Sequence, residues 1–353
     1  QTIYRRARSA GADIVKIATT ALSIRDNQYV FELYHHANRD NQPLIGLCMG
    51  EYGEISRIIS GKLGAHLTFG SSSNGSATAS GQMTYDDLKK IFNAGSLNSR
   101  TKLFGLIGNP VKQSRGIYHH NNVFRRRRVN AVYLNLLVDN LSVFFRTFTK
   151  TFTGYSVTMP FKERVLPYLD RLEGDAARLG IVNTVINRKG RLSGYNTDLA
   201  AMVSILRKRT NLRSKRVVIL GTGATAKTMG YAAIDGGADT TIVGRDQDKA
   251  RRLATEMNIH WTTFDALPDI PCDIIMNATP SGMVGIAGEK ANPMLVPQRF
   301  LRRGMIVFDA VYNPEMTPLL REARRQGCSV ITGLELFQRQ AQLQSKLFLE
   351  ALS

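Results

Sequence analysis

Cysteine is scarce in this chain: three among 353 residues, Cys48, Cys272 and Cys328, far apart and without C-x-x-C spacing. They compose neither a disulfide framework nor a zinc site, and the sequence reads as a protein of a reducing compartment, with the cytoplasm preferred over a plastid-like stroma. Long hydrophobic runs are missing too. Although 43% of residues are hydrophobic, no apolar stretch approaches the roughly 20 residues of a membrane helix. The six histidines, His35, His36, His66, His119, His120 and His260, lack metal-ligand spacing, so no metal is expected. Acidic residues are the other shortage: 28 Asp and Glu stand against 47 Lys and Arg, a formal net charge of +19. Such a balance is compatible with nucleic acid, anionic membranes or small anionic substrates. Its densest run, Arg125 to Arg128, reads as a solvated face. No interleaved aromatics or recognition helix accompany it, so a small-molecule substrate is expected rather than nucleic acid or membrane, and homo-oligomers stay open. The chain starts at Gln1 rather than Met and shows no secretory-signal pattern, so further residues upstream are expected.

What is present is an alternation of apolar runs and helical stretches. A chain of this length divides into more than one core. Residues 1 to 97 hold three apolar runs, at Ala12 to Ala18, Pro43 to Met49 and Ala65 to Gly70. Continuous apolar runs separated by helices imply a parallel sheet covered on both faces. Three such units cannot close a barrel of eight strands, and would leave open edges. Residues 71 to 81 read as a mobile loop, and Asn93 to Lys102 as a linker between domains. Strands resume at Leu103 to Gly108, Ala131 to Leu137, Thr153 to Thr158 and Val182 to Ile186, followed by a helix near Leu199 to Lys208. A second α/β domain opens with Lys215 to Leu220 and continues through Thr240 to Val243, Asp273 to Met276, Met305 to Asp309 and Ser329 to Ile331. A helical stretch from Leu334 to Leu352 ends it.

The apolar run Lys215 to Leu220 leads straight into Gly221-Thr222-Gly223-Ala224-Thr225-Ala226. Strand, glycine turn and helix form a dinucleotide arrangement, in which backbone amides approach a pyrophosphate at a helix N-terminus. About twenty residues on, Gly244-Arg245-Asp246 stands where an NAD enzyme would place a carboxylate against the ribose 2′-hydroxyl. Arg245 favours a 2′-phosphate, hence NADP, and Lys249 adds a second positive charge, while Asp246 works against that preference. Just upstream of the glycine turn are Lys162, in S-V-T-M-P-F-K, and Asp198, in G-Y-N-T-D. Carbonyl reduction by hydride leaves an alkoxide that must collect a proton, and a lysine paired with a carboxylate can supply one.

Ser156 to Lys162, Asn183-Thr184, Gly194 to Asp198, Asn277 to Met283 and Gly333 to Gln340 occur in an order that resembles the shikimate dehydrogenases over residues 101 to 353. That resemblance implies a substrate domain over 101–200, completed by 333–353, and an NADP-binding Rossmann domain over 205–332. It implies that Lys162 and Asp198 form the catalytic pair, that Asn183 and Asp198 hold ring hydroxyls of the substrate, and that Gln340 contacts it from the last helix. Tyr312 matches a family tyrosine near substrate and nicotinamide, and Gly333 joins the cofactor-binding positions. In Gly108-Asn109-Pro110-Val111-Lys112-Gln113-Ser114-Arg115-Gly116 the family carries Ser-x-Ser, both hydroxyls binding the substrate carboxylate. Here only Ser114 remains, and Gly116 leaves room that goes with acceptance of quinate, whereas Thr158 matches members that use shikimate. His120 stands beside Asn121 in the family's H-N word and is expected to organise the substrate loop. The word around Arg245 usually begins with Asn in this family, and Gly244 departs from it.

A second resemblance covers residues 1–97. Ala12 to Ala18, Gly53-Glu54-Ile55-Ser56-Arg57 and Gly81-Gln82 are similar to the last strands of a type I 3-dehydroquinate dehydratase, a TIM barrel. By this resemblance Lys16 is the Schiff-base lysine, at the end of a buried strand where an amine can attack a ketone. Arg57 is the carboxylate-binding arginine and Gln82 the lid glutamine, with Thr78 in place of a lid serine. The family's upstream histidine and first strands are absent, so the dehydratase part is expected to be incomplete. Together the words imply an NADP-dependent shikimate dehydrogenase fused to a partial dehydratase. A quinate dehydrogenase and a non-catalytic NADP-binding regulator are the alternatives.

Overall fold

The structure is a computed structural model that describes residues 2–73, 75–284 and 294–352. By its contacts the chain divides into two compact units, one of Gln1–Leu172, Val182–Gly194 and Ser345–Ser353, the other of Glu173–Ile181 and Tyr195–Gln344.

The first unit opens with α1 (Thr2–Ser9), β1 (Val15–Thr20), α2 (Asn27–Arg39), β2 (Leu44–Met49), α3 (Glu54–Ile58), α4 (Ser60–Leu63) and α5 (Tyr85–Lys90). β1 and β2 pair in parallel, Lys16 opposite Ile45. The two runs behave differently. β2 is almost wholly buried, with Tyr34 of α2 donating from Oη to the Gly46 carbonyl (2.8 Å), whereas β1 is exposed along most of its length. Among the described residues β2 is the only strand paired to β1, so one edge of β1 has no partner strand there. The third apolar run, expected as a strand over Ala65 to Gly70, is irregular. Its link to β2 is the bond from His66 N–H to the Leu44 carbonyl (2.9 Å), and one bond does not make a ladder. Of the polar stretch 71–81, residue 74 lies outside the described residues.

The same unit continues with β3 (Lys102–Gly108), α6 (Gly116–Arg126), β4 (Ala131–Leu137), α7 (Leu141–Phe148), β5 (Gly154–Val157) and β6 (Arg171–Leu172), and, after α8 (Asp175–Leu179), which belongs to the second unit, with β7 (Thr184–Arg188) and β8 (Arg191–Tyr195). These strands form one sheet in the order β4-β3-β5-β7-β8-β6. β3 is parallel to β4 and β5, while β7 runs antiparallel to β5, a reversal with no clear periodic signal in the sequence. β6 and β8 are short strands that the apolar pattern does not reveal. The N-terminal segment packs against this sheet's helices: Phe31 meets Phe148 edge-on at 6.0 Å, Ile24 N–H donates to Asp139 Oδ1 (3.4 Å), and Arg125 donates to the Lys90 carbonyl.

The second unit is a doubly wound sheet. Its strands are β9 (Arg216–Leu220), β10 (Asp239–Val243), β11 (His260–Thr262), β12 (Ile274–Asn277), β13 (Ile306–Asp309) and β14 (Ser329–Ile331), all parallel and ordered β11-β10-β9-β12-β13-β14. Strand alternation sorts the core. Val217 and Ile219 of β9 enter one apolar layer with α9 (Thr197–Arg209) and α10 (Ala224–Ile234), while Val218 and Leu220 enter the opposite layer with α12 (Pro318–Arg325). α11 (Gln247–Met257) completes the first layer, and α13 (Gly333–Glu350) ends the chain, its residues from Ser345 belonging to the first unit. β9 is central, so the turn after it sits where the strand order reverses, the position at which this class of sheet takes its ligand. Among the described residues no helix is long and apolar enough to cross a membrane, and no cluster of His, Cys, Asp and Glu could hold a metal.

Candidate functional site

In the first unit, the turn after β3 meets the turn after β5. A Cβ on Gly108 would lie 2.4 Å from Thr158 Cγ2, so glycine is needed for the two to approach. Asn109 N–H donates to the Met159 carbonyl (3.0 Å), tying the loop of Ser114 to the word that carries Lys162. Within that loop Ser114 N–H donates to the Val111 carbonyl (3.0 Å), Gly116 N–H to Ser114 Oγ (3.2 Å), and Asn135 Nδ2 of β4 to the Val111 carbonyl (3.1 Å). Val182 N–H donates to the Lys162 carbonyl and Val157 N–H to the Asn183 carbonyl, each at 2.8 Å. The β5–β7 pairing therefore brings Thr158, half-buried Lys162 and buried Asn183 to one end of the sheet. Asn183 Oδ1 accepts from Thr184 Oγ1 (2.9 Å), which fixes its amide direction.

In the second unit, Asp198 is buried in the first turn of α9, where the helix dipole favours a carboxylate. The preceding Asn196 caps this helix, accepting from Leu199 N–H (3.0 Å) and donating to the Ile181 carbonyl (3.1 Å). Thr197 Oγ1 donates to Gln340 Oε1 at 3.5 Å, so Gln340 and the Asp198 turn are neighbours. Tyr312 packs its ring 5.5 Å from Phe337, one turn before Gln340 on α13. Glycine is required at 333, because a Cβ there would come within 2.4 Å of the Val311 carbonyl oxygen.

Three residues before Tyr312 is a buried polar group that sequence reasoning missed. Asp309, at the end of β13, accepts from Asn277 Nδ2 (2.9 Å), Val311 N–H (3.0 Å) and Thr317 Oγ1 (2.7 Å). Burial nevertheless pushes its carboxyl up to about 6, against these three donors. Thr317 is also the N-cap of α12. Asp309 thus locks the ends of β12 and β13 to a helix start. Its only sequence trace was its place inside Asp309-Ala310-Val311-Tyr312.

The glycine turn after β9 has the features of a phosphate cradle. Gly221 has φ +116°, a left-handed region that favours glycine, and its N–H donates to the Val243 carbonyl (2.8 Å). Among the described residues no heavy atom lies within 4 Å of a Cβ built on Gly223, and no side chain caps the start of α10. Ala224, Thr225 and Ala226 therefore begin α10 with amides available to an anion. Gly244, the departure noted above, is explained: a Cβ there would lie 2.6 Å from Thr222 Cγ2 and 3.0 Å from Ala250 Cβ. Thr222 in the turn and glycine at 244 go together. Arg245 is exposed. Asp246 is engaged elsewhere, capping α11 by accepting from Lys249 N–H (3.0 Å) and pairing with Lys249 Nζ (3.1 Å). The backbone and side-chain bonds from Lys249 hold its carboxyl below the usual range. The acidic residue that seemed to work against a 2′-phosphate is thus a helix cap, though it also occupies Lys249.

The N-terminal candidates lie in unlike surroundings. Lys16 is second in β1 and exposed, with Nζ 4.5 Å from the Phe69 ring centroid, rather than at the end of a buried strand as the sequence led us to expect. Among the described residues β1 has a partner strand on one edge alone, which leaves most of it exposed. Arg57 is 3% exposed, its Nε has no hydrogen-bond partner among the described residues, and desolvation lowers the guanidinium pKa. Glu54, one turn before it, is pushed up to about 7 by burial and by Glu51, against the opposing pull of Lys112 and Arg57. Gln82 Oε1 accepts from Thr78 N–H (2.7 Å) and Oγ1 (3.1 Å), so these two lid residues hold each other. Gly81 lies too close to the Gly50 carbonyl, 2.4 Å from a built Cβ, for any side chain.

Comparison with known proteins matches these parts separately. The family model for type I 3-dehydroquinase matches residues 1–99, that for the shikimate dehydrogenase substrate binding domain residues 106–185, and that for shikimate/quinate 5-dehydrogenase residues 204–322. A bifunctional 3-dehydroquinate dehydratase/shikimate dehydrogenase, chloroplastic, of Arabidopsis thaliana is 36% identical over 366 residues, covering 98% of this chain. The chain spans 60% of that relative's length. A shikimate dehydrogenase (NADP(+)) of Pyrococcus furiosus is 38% identical over 242 residues, covering 67% of this chain and 86% of that protein. Among solved structures, a shikimate dehydrogenase in complex with NADP+ superposes with a TM-score of 0.65 at 31% identity, covering 71% of this chain and 91% of the other.

Proposed function

This chain belongs to the shikimate dehydrogenase family, and on that premise we propose that it catalyses the reversible NADPH-dependent reduction of 3-dehydroshikimate to shikimate. The observation that carries the reading is the glycine turn at the reversal point of a doubly wound sheet, with an uncapped helix start on one side and exposed Arg245 on the next strand's end. These features fit a dinucleotide that carries a 2′-phosphate. When bound, NADPH supplies the hydride for the ketone carbon.

The chain's own residues do the rest. Lys162 gives the carbonyl oxygen its proton as the alkoxide develops and takes it back in the reverse reaction, with Asp198 as the carboxylate that orients it. Ser114 holds the substrate carboxylate, while Thr158, Asn183 and Gln340 bind polar groups of the substrate, each with a direction set by its element. Tyr312 stands near substrate and nicotinamide, and Gly333 lets α13 begin close against the backbone of Ala310 and Val311, which precede it. Shikimate is preferred to quinate. Presence of both Lys162 and Asp198 argues for catalysis over a regulatory role.

The proposed domain limits are 1–97, 101–200 with 333–353, and 205–332. Residues 1–97 are proposed to be part of a type I dehydratase in which Lys16 is the Schiff-base residue, Arg57 the carboxylate ligand and Gln82 the lid group. Exposure of Lys16 supports the view that this segment does not dehydrate 3-dehydroquinate as it stands. Three free cysteines, all buried, agree with a reducing compartment, cytosol or plastid stroma.

Replacing Lys162 with Ala tests the catalytic assignment. It should lower kcat by roughly 10²-fold or more, the usual contribution of a positioned acid, with NADPH binding retained. Asp198→Asn should damage both kcat and KM, and the double variant should lose much less than the product of the two effects if the residues act as one unit. Unchanged kcat in the lysine variant would remove Lys162 from the mechanism.

A further inference from the structure

The second unit has a cavity of about 680 Å³ at the end of its sheet away from the glycine turn, framed by the starts of β9, β12 and β13. That volume lies inside the range of small-molecule sites. Since the strands are parallel and the glycine turn follows the other end of β9, this cavity is separate from the cofactor cradle.

Its charge is one-sided. Five cationic residues line it, Lys215, Arg216, Arg299, Arg302 and Arg303, against two carboxylates, Asp269 and Asp273. Arg216 and Asp273 satisfy each other: Arg216 donates from Nε to Asp273 Oδ2 (3.0 Å) and from Nη2 to Oδ1 (2.8 Å), which holds that carboxyl down to about 2. Lys215, Arg299, Arg302 and Arg303 make no ion pair among the described residues, so Asp269 is the one carboxylate left to face them. Like charges gathered around a concave, low-dielectric wall raise the potential inside it. The wall is also apolar in part, with buried Ile274, Phe300 and Ile306 and half-buried Pro268 and Ile270. A concave site of this kind suits a small ligand with anionic groups on an apolar body better than the broad backbone of a nucleic acid.

We infer that this cavity is a second anion site, which takes a small organic molecule carrying two or more phosphate or carboxylate groups. The guanidinium forks of Arg299, Arg302 and Arg303 match the paired oxygens of either group. An occupant braces the starts of the same three strands whose other ends carry the glycine turn, Asn277 and Asp309. The inference stands apart from the shikimate reading, because its readout is binding.

Isothermal titration calorimetry on the full chain, saturated with NADPH to fill the cofactor cradle, tests it with pyrophosphate and with citrate. At least one probe should bind with a Kd below about 1 mM. The tighter of the two names the source: pyrophosphate points to phosphate groups, citrate to carboxylates. Charge reversal of two exposed residues, Arg302→Glu with Arg303→Glu, should weaken that Kd at least about 30-fold while cooperative unfolding is kept. The same net change at the exposed end of α6, Arg126→Glu with Arg127→Glu, should leave it within about threefold. A wild-type Kd weaker than about 1 mM for both probes overturns the site. Equal losses in the two double variants overturn it as well, since they would trace binding to the overall charge of the chain.

Discussion

Three glycines, Gly116, Gly244 and Gly333, stand where a neighbouring group already occupies the space of a side chain: Tyr133, Thr222 and the Val311 carbonyl. In the sequence two of them, Gly116 and Gly244, looked like departures from a family word. In three dimensions they are compensated positions, and the compensating residues lie on other elements, beyond the reach of a local motif. Residue identities at the candidate site were legible because their words are local. Partners were not, because a hydrogen bond such as that of Asp309 to Asn277 joins positions 32 residues apart. Arg245 is the residue on which the cofactor assignment turns. Since only NADPH carries the 2′-phosphate, Arg245→Ala should weaken NADPH by about 1.5–3 kcal/mol, the worth of a hydrogen bond to a charged group, and NADH far less. Fluorescence titration with both cofactors measures this, and equal losses would refute the NADP assignment.

At the scale of elements, the apolar runs located eleven of the strands, and β9 was readable because burial on both faces of a parallel sheet makes Val217 to Leu220 apolar without a break. Short β6, β8 and β11 gave no such pattern, being partly exposed. β1 shows the opposite failure: its sequence is that of a covered strand, yet among the described residues it has a single partner strand and most of its residues are exposed. Element ends carry the less visible energetics. Asp309 joins β12, β13 and the cap of α12, and its carboxyl is raised from 3.8 to about 6 in the folded chain. A raised carboxyl keeps its proton in the native state where the unfolded chain has released it. Its contribution is therefore most favourable below about pH 4 and falls as pH rises to about 6, by up to about 3 kcal/mol in all, then stays constant. Asp309→Asn should abolish that slope. Urea unfolding at about pH 4 and about pH 7 should show the variant gaining on the wild type by up to about 3 kcal/mol at the higher pH. A stability difference independent of pH would show that the carboxyl does not titrate there.

For the whole molecule, composition foretold several cores in a chain without disulfides, but it did not foretell how they would group. The N-terminal segment and the β3–β8 sheet share one compact unit, joined by Phe31 against Phe148 and by Ile24 bonding to Asp139, contacts that no linker signal at residues 93–102 announces. The doubly wound sheet stands in the other unit with the complete glycine turn. Of the proposed dehydrogenase residues, Thr158, Lys162 and Asn183 are gathered at one end of a sheet in the first unit, and the glycine turn belongs to the second. The proposed dehydratase residues differ in environment: Lys16 is exposed while Arg57 is buried. The most direct test supplies the purified chain with NADPH and follows cofactor oxidation in the presence of 3-dehydroshikimate or 3-dehydroquinate, identifying the product. The predicted result is rapid oxidation with shikimate as product from 3-dehydroshikimate, and none from 3-dehydroquinate. Absence of NADPH oxidation with 3-dehydroshikimate would contradict the assigned function, and shikimate formed from 3-dehydroquinate would contradict the reading of the N-terminal segment.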